Sequence, residues 1–291
     1  MQKNIFKFGN SSLALVVPKK WTEKNGIKAG SSVTVGEDNK GSLVLSTGGA
    51  AELEGSKTVD KSTDPYFIWK WVGLYYRFGI NKLEIISRDG FSPKQIEAVK
   101  DQIEQYSPGF EIMSQTNKQI IIEDLTKQKD MDLDKMVSRM RSLVIESFRE
   151  ITSNEFDSMP STEALLNRFY QLCLRYINIV QPKNMLKYFR VVESMEEIGD
   201  LLLKMATKEG CGSKAINALL ARAQEAFLLS DKALAGDENS LTSIYNTEKE
   251  IQSNKRKTET AECYELVQEV MKYIAYIAEF GLAAEKEKVV Y

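Results

Sequence analysis

The feature that constrains the fold most is the stretch 130–291, which contains helix-typical sequence and no strand-like segment. Proline and glycine breaks divide it into six predicted helices, over 131–153, 158–181, 183–208, 213–235, 237–257 and 259–288. The third and sixth helices align at an offset of 76 residues, which pairs Met195 with Met271 and Ile198 with Ile274. Repetition at this length predicts two three-helix units in tandem, so that 130–291 forms one all-α domain.

A smaller unit is predicted over 63–126, after a polar stretch at 47–65 that we interpret as a linker with at most one edge strand. Asp64 and Pro65 begin an aromatic-rich helix, as its N-cap and its first helical residue. A strand, a helix and two further strands follow, over 82–86, 93–106, 110–114 and 119–123. This order predicts a small sheet with helices on one face.

The first 48 residues form a third unit of short strands and glycine-containing turns. A strand at 4–7 is followed by Gly-Asn-Ser-Ser, an apolar strand, a Pro-Lys-Lys-Trp turn and two more strands, over 13–17, 32–35 and 43–46. This order resembles the AbrB/SpoVT-type domain, which implies a swapped-hairpin β-barrel that dimerises and grips DNA. One copy has too few residues to bury a good core, and dimerisation would solve that problem.

Charge is distributed unevenly along the chain, whose formal net charge is −2. Residues 1–48 carry seven lysines against three acidic residues, a net charge of +4, and the remainder is acidic. We expect this basic unit to contact phosphates. The candidate DNA-binding residues are Lys3, Lys7, Asn10, Ser11, Ser12, Lys19, Lys20 and Lys24. No arginine precedes Arg77, so the bidentate arginine–guanine contact is missing, and a barrel that only dimerises the chain is the alternative.

The amino-acid composition limits the kinds of reaction and metal site that the chain can support. The chain has no histidine, which removes the commonest general base and excludes a catalytic triad, and we expect that it is not an enzyme. The three cysteines, Cys173, Cys211 and Cys263, are widely spaced without a CxxC pair, and we predict that they are reduced thiols. The sequence has no apolar run of membrane-spanning length and no secretory pattern, which favours a cytoplasmic protein.

The segment VVESMEEIGDLLLKMA at 191–206 contains Glu-x-x-x-Asp, Glu196 and Asp200, one helical turn apart. It is similar to the motif of PhoU-like proteins, in which this pair supplies metal ligands. The resemblance implies a site for a divalent or ferric ion at Glu196 and Asp200, with Glu193 on the same face. A solvated acidic face is the alternative, because the repeat places Lys272 and Tyr276 at the matching positions.

The whole chain is therefore expected to be an α+β multidomain protein: a dimeric barrel at 1–48, an α/β connecting domain at 63–126, and PhoU-like tandem three-helix bundles at 130–291. It resembles archaeal PhoU-like phosphate uptake regulators with an AbrB-type DNA-binding domain. The resemblance implies a homodimeric transcriptional regulator of phosphate uptake. The alternative is an adaptor that does not bind DNA and inhibits a phosphate transporter ATPase or a sensor kinase.

Overall fold

The computed structural model describes residues 4–9, 12–37, 43–46, 53–126, 131–182, 184–253 and 261–286. The chain divides into two compact units, Met1–Glu52 and Leu53–Tyr291, which are described separately below. The middle sheet and the C-terminal helices belong to the same unit, and their division into domains at 63–126 and 130–291 stays a prediction. No helix within the described ranges combines the length and the apolar character that a membrane span requires.

The first unit contains two antiparallel hairpins. Strands β1 (Ile5–Phe8) and β2 (Ser12–Leu15) form one pair, and β3 (Thr34–Glu37) and β4 (Leu43–Ser46) form the other. The short helix α1 (Lys19–Lys24) lies between them in the chain and begins directly after Pro18. These elements agree with the predicted order, within one to two residues at the strand ends. The exchange of hairpins between two chains stays a prediction.

The second unit begins with a four-stranded sheet. Its strands are β5 (Glu54–Val59), β6 (Lys82–Ser87), β7 (Phe110–Gln115) and β8 (Gln119–Asp124), in the spatial order β5-β6-β8-β7. Strand β5 is parallel to β6, and the other pairs are antiparallel. The predicted linker at 47–65 therefore contains an edge strand, the option that its sequence had left open.

Two helices cover one face of this sheet, α2 (Pro65–Arg77) and α3 (Pro93–Tyr106). The Asp64 side chain accepts a hydrogen bond from the Tyr66 amide, in agreement with its predicted N-cap role, and Ser92 and Gln95 form a reciprocal capping box. Alternate strand residues point towards the helices and are buried, because side chains along a strand alternate between the two faces. The buried residues are Leu83, Ile85, Ile120 and Ile122 on the strands and Val72, Tyr76 and Val99 on the helices.

Beyond residue 131 the described chain is helical, as predicted. The six helices are α4 (Leu133–Thr152), α5 (Met159–Val180), α6 (Met185–Ala206), α7 (Lys214–Leu234), α8 (Glu238–Ser253) and α9 (Ala261–Lys286). Helices α4, α5 and α6 pack on one another, α7, α8 and α9 do the same, and α6–α9 contacts join the two sets. Met195, Ile198, Met271 and Ile274, the residues paired by the 76-residue offset, are all fully buried.

The prediction of three reduced cysteines was wrong. Cys211 and Cys263 form a disulfide across a sequence separation of 52 residues, whereas Cys173 is a buried free thiol. The loop after α6 and the first turn of α9 hold the two disulfide cysteines, and these elements meet because α6 packs against α9. The spacing of the cysteines in the sequence does not indicate this contact, so the disulfide could not be predicted without the fold.

A buried arginine on α5 joins the helices to the sheet. The Arg175 guanidinium donates to the carbonyl oxygens of Tyr76 at 2.5 Å and Ile80 at 3.0 Å, and pairs with Asp124 at the end of β8 at 2.6 Å. The Arg175 and Asp124 side chains are only 2% and 0% exposed. Gly79 allows this approach, because its φ is +80° and a Cβ there would lie 2.6 Å from Ile179 Cγ1.

We predict that replacing Arg175 by Ala destabilises the chain by about 3–5 kcal/mol, because Asp124 and two carbonyl groups would lose a buried partner. Urea unfolding followed by circular dichroism measures this change. Arg168→Ala removes an exposed arginine from the same helix and should change the unfolding free energy by less than about 0.5 kcal/mol. Equal effects of the two substitutions would contradict the role assigned to Arg175.

We also predict that the Cys211→Ala, Cys263→Ala double variant unfolds more easily than the parent. Closing a loop of 52 residues lowers the entropy of the unfolded chain, which corresponds to about 4 kcal/mol in the chain-entropy model. Denaturant unfolding with and without dithiothreitol measures the difference. Reductant should lower the midpoint of the parent and leave that of the double variant unchanged, and a reductant-insensitive parent would contradict the pairing.

Candidate functional site

The three acidic residues predicted as metal ligands lie on α6 but have different surroundings. Glu193 forms an ion pair of 2.9 Å with Arg190, one helical turn earlier. Asp200 is hydrogen-bonded to the carboxyl group of Glu163 on α5. Glu196 lies between them in sequence and makes no hydrogen bond or ion pair with any residue that the structure describes. Within the described ranges no three acidic or cysteine side chains come together in a group that could hold a metal ion.

Glu196 lines a cavity of about 370 Å³ in the second unit. Helix α2 contributes Trp69, Lys70, Gly73 and Arg77, and α3 contributes Gln102 and Tyr106. The remaining walls come from Asn167, Tyr170 and Gln171 on α5 and from Glu196 and Glu197 on α6. The cavity therefore lies where the helices of the α/β part pack against the first three-helix set, and its volume falls within the usual range of small-molecule sites.

Burial raises the pKa of Glu196 to about 8, and the negative charges of Asp200, Glu197, Glu163 and Glu193 add to the effect. Tyr170 has its pKa raised to about 12, first by burial and then by Glu196. Two cationic side chains, Lys70 and Arg77, also line the cavity, yet neither forms an ion pair with a described carboxylate. The carboxyl group of Glu196 thus lines the cavity without an ion pair to any residue that the structure describes.

The neighbouring carboxyl groups of Glu163 and Asp200 form a coupled pair. Burial and the charge of Asp200 raise the pKa of Glu163 to about 7, and burial raises the pKa of Asp200. Glu163 also accepts a hydrogen bond from the Asn167 amide. The negative charge of Asp200 thus opposes the ionisation of Glu163.

The matching position in the second half of the bundle has lost the acidic pair, as the offset predicts. Lys272 and Tyr276 occupy the places of Glu196 and Asp200, and Lys272 Nζ lies 5.6 Å from the Tyr276 ring centroid. Arg190 of α6 stacks over the same ring at 4.1 Å. The two three-helix sets therefore have matching buried apolar residues but different polar residues. The candidate site accordingly lies on α5 and α6.

The predicted DNA-binding residues of the first unit are only partly described. Lys3, Asn10 and Ser11 lie outside the described residues. Lys7 on β1, Ser12 on β2 and the three lysines of α1 are exposed. Within α1, Lys19 forms a 3.6 Å contact with Glu23, and its side chain remains 86% exposed. The described lysines are accordingly placed to contact an external polyanion.

Large apolar side chains of the first unit are exposed as well. They lie on both faces of the β1–β2 hairpin, since Ile5 and Leu15 share one face and Phe6 and Phe8 occupy the other. Phe8 and Leu13 are each 72% exposed. The exposed set is Ile5, Phe6, Phe8, Leu13, Leu15, Val16, Val33, Val35 and Leu43. An isolated two-stranded hairpin is at best marginally stable, and these apolar side chains are uncovered in the single chain.

Comparison with known families assigns this first unit. Residues 7–50 match the family described as antidote-toxin recognition MazE, bacterial antitoxin. No curated protein and no solved structure matches the chain significantly. The chain thus carries a MazE/AbrB-type domain at its N-terminus, followed by a strand-containing middle part and a helical C-terminal region. These findings do not extend to the predicted PhoU-like nature of the helices.

Sequence reasoning missed the residues that make Glu196 part of a cavity rather than of an open surface. A helical wheel of α6 places Glu193, Glu196 and Asp200 away from the apolar stripe, but it cannot show that α2 and α5 cover part of that face. Gln102 carried no signal either, since one glutamine in an amphipathic helix is normally solvated. Glu163 and Asn167 are four residues apart, and this spacing was the only local hint.

We predict that Glu196→Gln makes the protein less sensitive to alkaline pH. The folded-state pKa of about 8 lies above the usual 4.5. The folded protein therefore binds more protons than the unfolded chain between these values, and stability falls as pH rises through that window. Urea unfolding at pH 5 and pH 8.5 should show a loss about 2 kcal/mol smaller in the variant, after allowance for solvent screening.

The matched control is Glu104→Gln, which removes an exposed carboxylate from α3. This variant should keep the pH dependence of the parent. Parallel pH profiles of the parent and Glu196→Gln would contradict the perturbed environment assigned to Glu196.

Proposed function

We propose that the protein is a homodimeric DNA-binding regulator, with the MazE/AbrB-type unit as both the dimer contact and the DNA contact. One observation supports the proposal: a single short unit has exposed apolar hairpins and exposed lysines, and it matches the MazE family. Each feature has a separate explanation, but a dimer on DNA accounts for all three.

Dimerisation follows from the apolar surface. Side chains such as Phe8 and Leu13, 72% exposed in one chain, would each gain about 1.5–3 kcal/mol on full burial. A second copy presents the same surface, and two-fold symmetry makes that surface self-complementary. The proposal therefore commits to a second copy of this unit as the partner.

DNA binding follows from charge. Two copies of residues 1–48 bring a net charge of +8 together, and each lysine–phosphate contact releases condensed counterions. Lys7, Lys19, Lys20 and Lys24 are the described residues that we assign to phosphate contacts, together with Ser12 as a neutral donor. Phosphate contacts position a protein on DNA but do not read the base sequence. Because no arginine precedes Arg77, base reading by this unit would depend on other side chains.

The helical region is assigned a separate role from the DNA-binding unit. We propose that the helical region is a sensor and that it has no catalytic activity. Its likeness to PhoU and a phosphate signal are not supported by the comparisons and stay predictions. The divalent or ferric ion at Glu196 and Asp200 stays a prediction, and Glu193, the third predicted ligand, is paired with Arg190. No step is assigned to a metal.

We further propose a cytoplasmic location, since DNA is the partner. The Cys211–Cys263 disulfide weighs against it, because stable disulfides are rare in the cytosol outside hyperthermophiles. Cell fractionation followed by immunoblotting tests this proposal.

A non-DNA-binding adaptor is the second candidate function. The observation that favours it is the lysine-only composition of the basic unit, which lacks the arginine that most often reads guanine. In this case the hairpins only dimerise the chain, and the helical region inhibits a partner such as a phosphate transporter ATPase or a sensor kinase. The DNA-binding measurement below separates the two functions.

We predict that Leu13→Asp converts the dimer to a monomer, because a charge would be buried in the apolar contact. Light scattering coupled to size-exclusion chromatography of the full chain measures the mass. Gln105→Asp, which adds the same charge at an exposed position of α3, should leave the dimer intact. A monomeric parent at micromolar concentration would exclude the proposed dimer.

We predict that the full chain shifts a DNA fragment from upstream of its own coding region and that affinity falls steeply with salt. Replacing Lys19 and Lys20 by Ala removes four contacts per dimer, which should reduce the slope of log K against log salt by about 3–4. Replacing the exposed Lys94 and Lys100 by Ala removes equal charge from the second unit and should leave the slope unchanged. Absence of any shift at 50 mM salt would leave the adaptor function.

A further inference from the structure

The cavity beside Glu196 contains a buried polar group without a partner. Gln102 is 2% exposed, and its Oε1 atom has no hydrogen-bond partner. Its Nε2 atom donates to the Ser107 hydroxyl at 3.3 Å. Because that hydroxyl can pair with either end of the amide, one end remains unpaired whichever way the side chain is turned. A buried amide group left without a partner costs about 1–3 kcal/mol, and a bound donor would remove this cost.

The position of Gln102 depends on a glycine of the opposite helix. A Cβ atom at residue 73 would lie 2.7 Å from Gln102 Nε2 and 3.4 Å from its Oε1. Gly73 lies inside α2, where its φ is that of an ordinary helix and alanine would be the better helix former by about 1 kcal/mol. Glycine at this position therefore makes room for the amide at the cavity wall.

The charged side chains of the cavity are sorted by helix. Both cations, Lys70 and Arg77, come from α2, whereas both acidic side chains, Glu196 and Glu197, come from α6. Arg77 donates through Nε to the Gly73 carbonyl at 3.3 Å, which leaves its terminal nitrogens available. The site thus offers donors and positive charge on one wall and the two acidic groups of Glu196 and Glu197 on another.

We propose that this cavity binds a small zwitterion of the size of an α-amino acid. Its carboxylate would lie against Lys70 and Arg77, and its ammonium group would lie against Glu196 and donate to Gln102 Oε1. A ligand with both charges satisfies both walls, whereas a simple anion or cation would leave one wall uncompensated. Trp69, Tyr106 and Tyr170 supply the apolar contact surface. This ligand site is independent of the proposed DNA-binding function.

The test is isothermal titration calorimetry of the full chain with each of the twenty L-α-amino acids. We expect at least one to bind with a Kd of about 1 mM or lower, which is within reach of a ligand of this size. Two half-ligands of that amino acid, the decarboxylated amine and the deaminated acid, should each bind at least tenfold more weakly. Absence of binding by all twenty at 10 mM would overturn the proposal, as would equal affinity for either half-ligand.

Substitutions locate the site. Glu196→Gln and Lys70→Gln replace one ionisable group on each wall by a neutral amide without changing side-chain length greatly, and each should weaken binding at least tenfold. Glu104→Gln and Lys94→Gln, at exposed positions of α3, are the matched controls and should bind as the parent does. Unchanged affinity in both cavity variants, with circular dichroism showing that they are folded, would place the ligand elsewhere and overturn the assignment.

Discussion

The buried pairing of Arg175 with Asp124 determines how the second unit is assembled. A guanidinium group that is removed from water needs several acceptors. Here they are the Asp124 carboxylate at the end of β8, the Tyr76 carbonyl in the last turn of α2 and the Ile80 carbonyl just beyond that helix. The carbonyl ends of a helix carry partial negative charge, so an arginine is well suited to this position. The rings of Tyr76 and Phe110 lie against the guanidinium at 4.8 and 5.3 Å. The contact therefore fixes both the position and the direction of α5 relative to the sheet.

The cavity is a consequence of this assembly. Once α5 is fixed at its C-terminal end, its earlier turns lie beside α2 and α3, and Tyr170 and Gln171 face the wall formed by Trp69 and Gln102. Helix α6 packs on α5 and brings Glu196 to the same space. A carboxyl group that would be solvated on an isolated bundle is thereby partly desolvated, which is why the pKa of Glu196 rises. The electrostatics of the site thus depend on a contact that lies outside the cavity, between Arg175 and the sheet.

The sequence predicted the local structure well and the long-range contacts poorly, for a physical reason. Caps such as Asp64 and Ser92 and the breaks between helices depend on neighbouring residues, so they can be recognised without the fold. The Cys211–Cys263 and Arg175–Asp124 pairs span 52 and 51 residues and leave no periodic trace. The role of the acidic residues on α6 as a site stays a prediction, and the sequence did not indicate that Arg190 pairs with Glu193 or that Glu163 neighbours Asp200. Function at such a site is set by neighbours from other helices.

The two units differ in how they satisfy the need for a buried core. The second unit buries its apolar residues within one chain, whereas the first leaves Phe8 and Leu13 exposed, and the proposed dimer would bury them. Folding of the first unit is then coupled to protein concentration. If the dimer is the DNA-binding form, a ligand of the second unit changes DNA binding only to the extent that it binds the DNA-bound and free forms with different affinity. The same coupling free energy makes DNA change the affinity for that ligand, so the two sites can be linked without any new contact at either one.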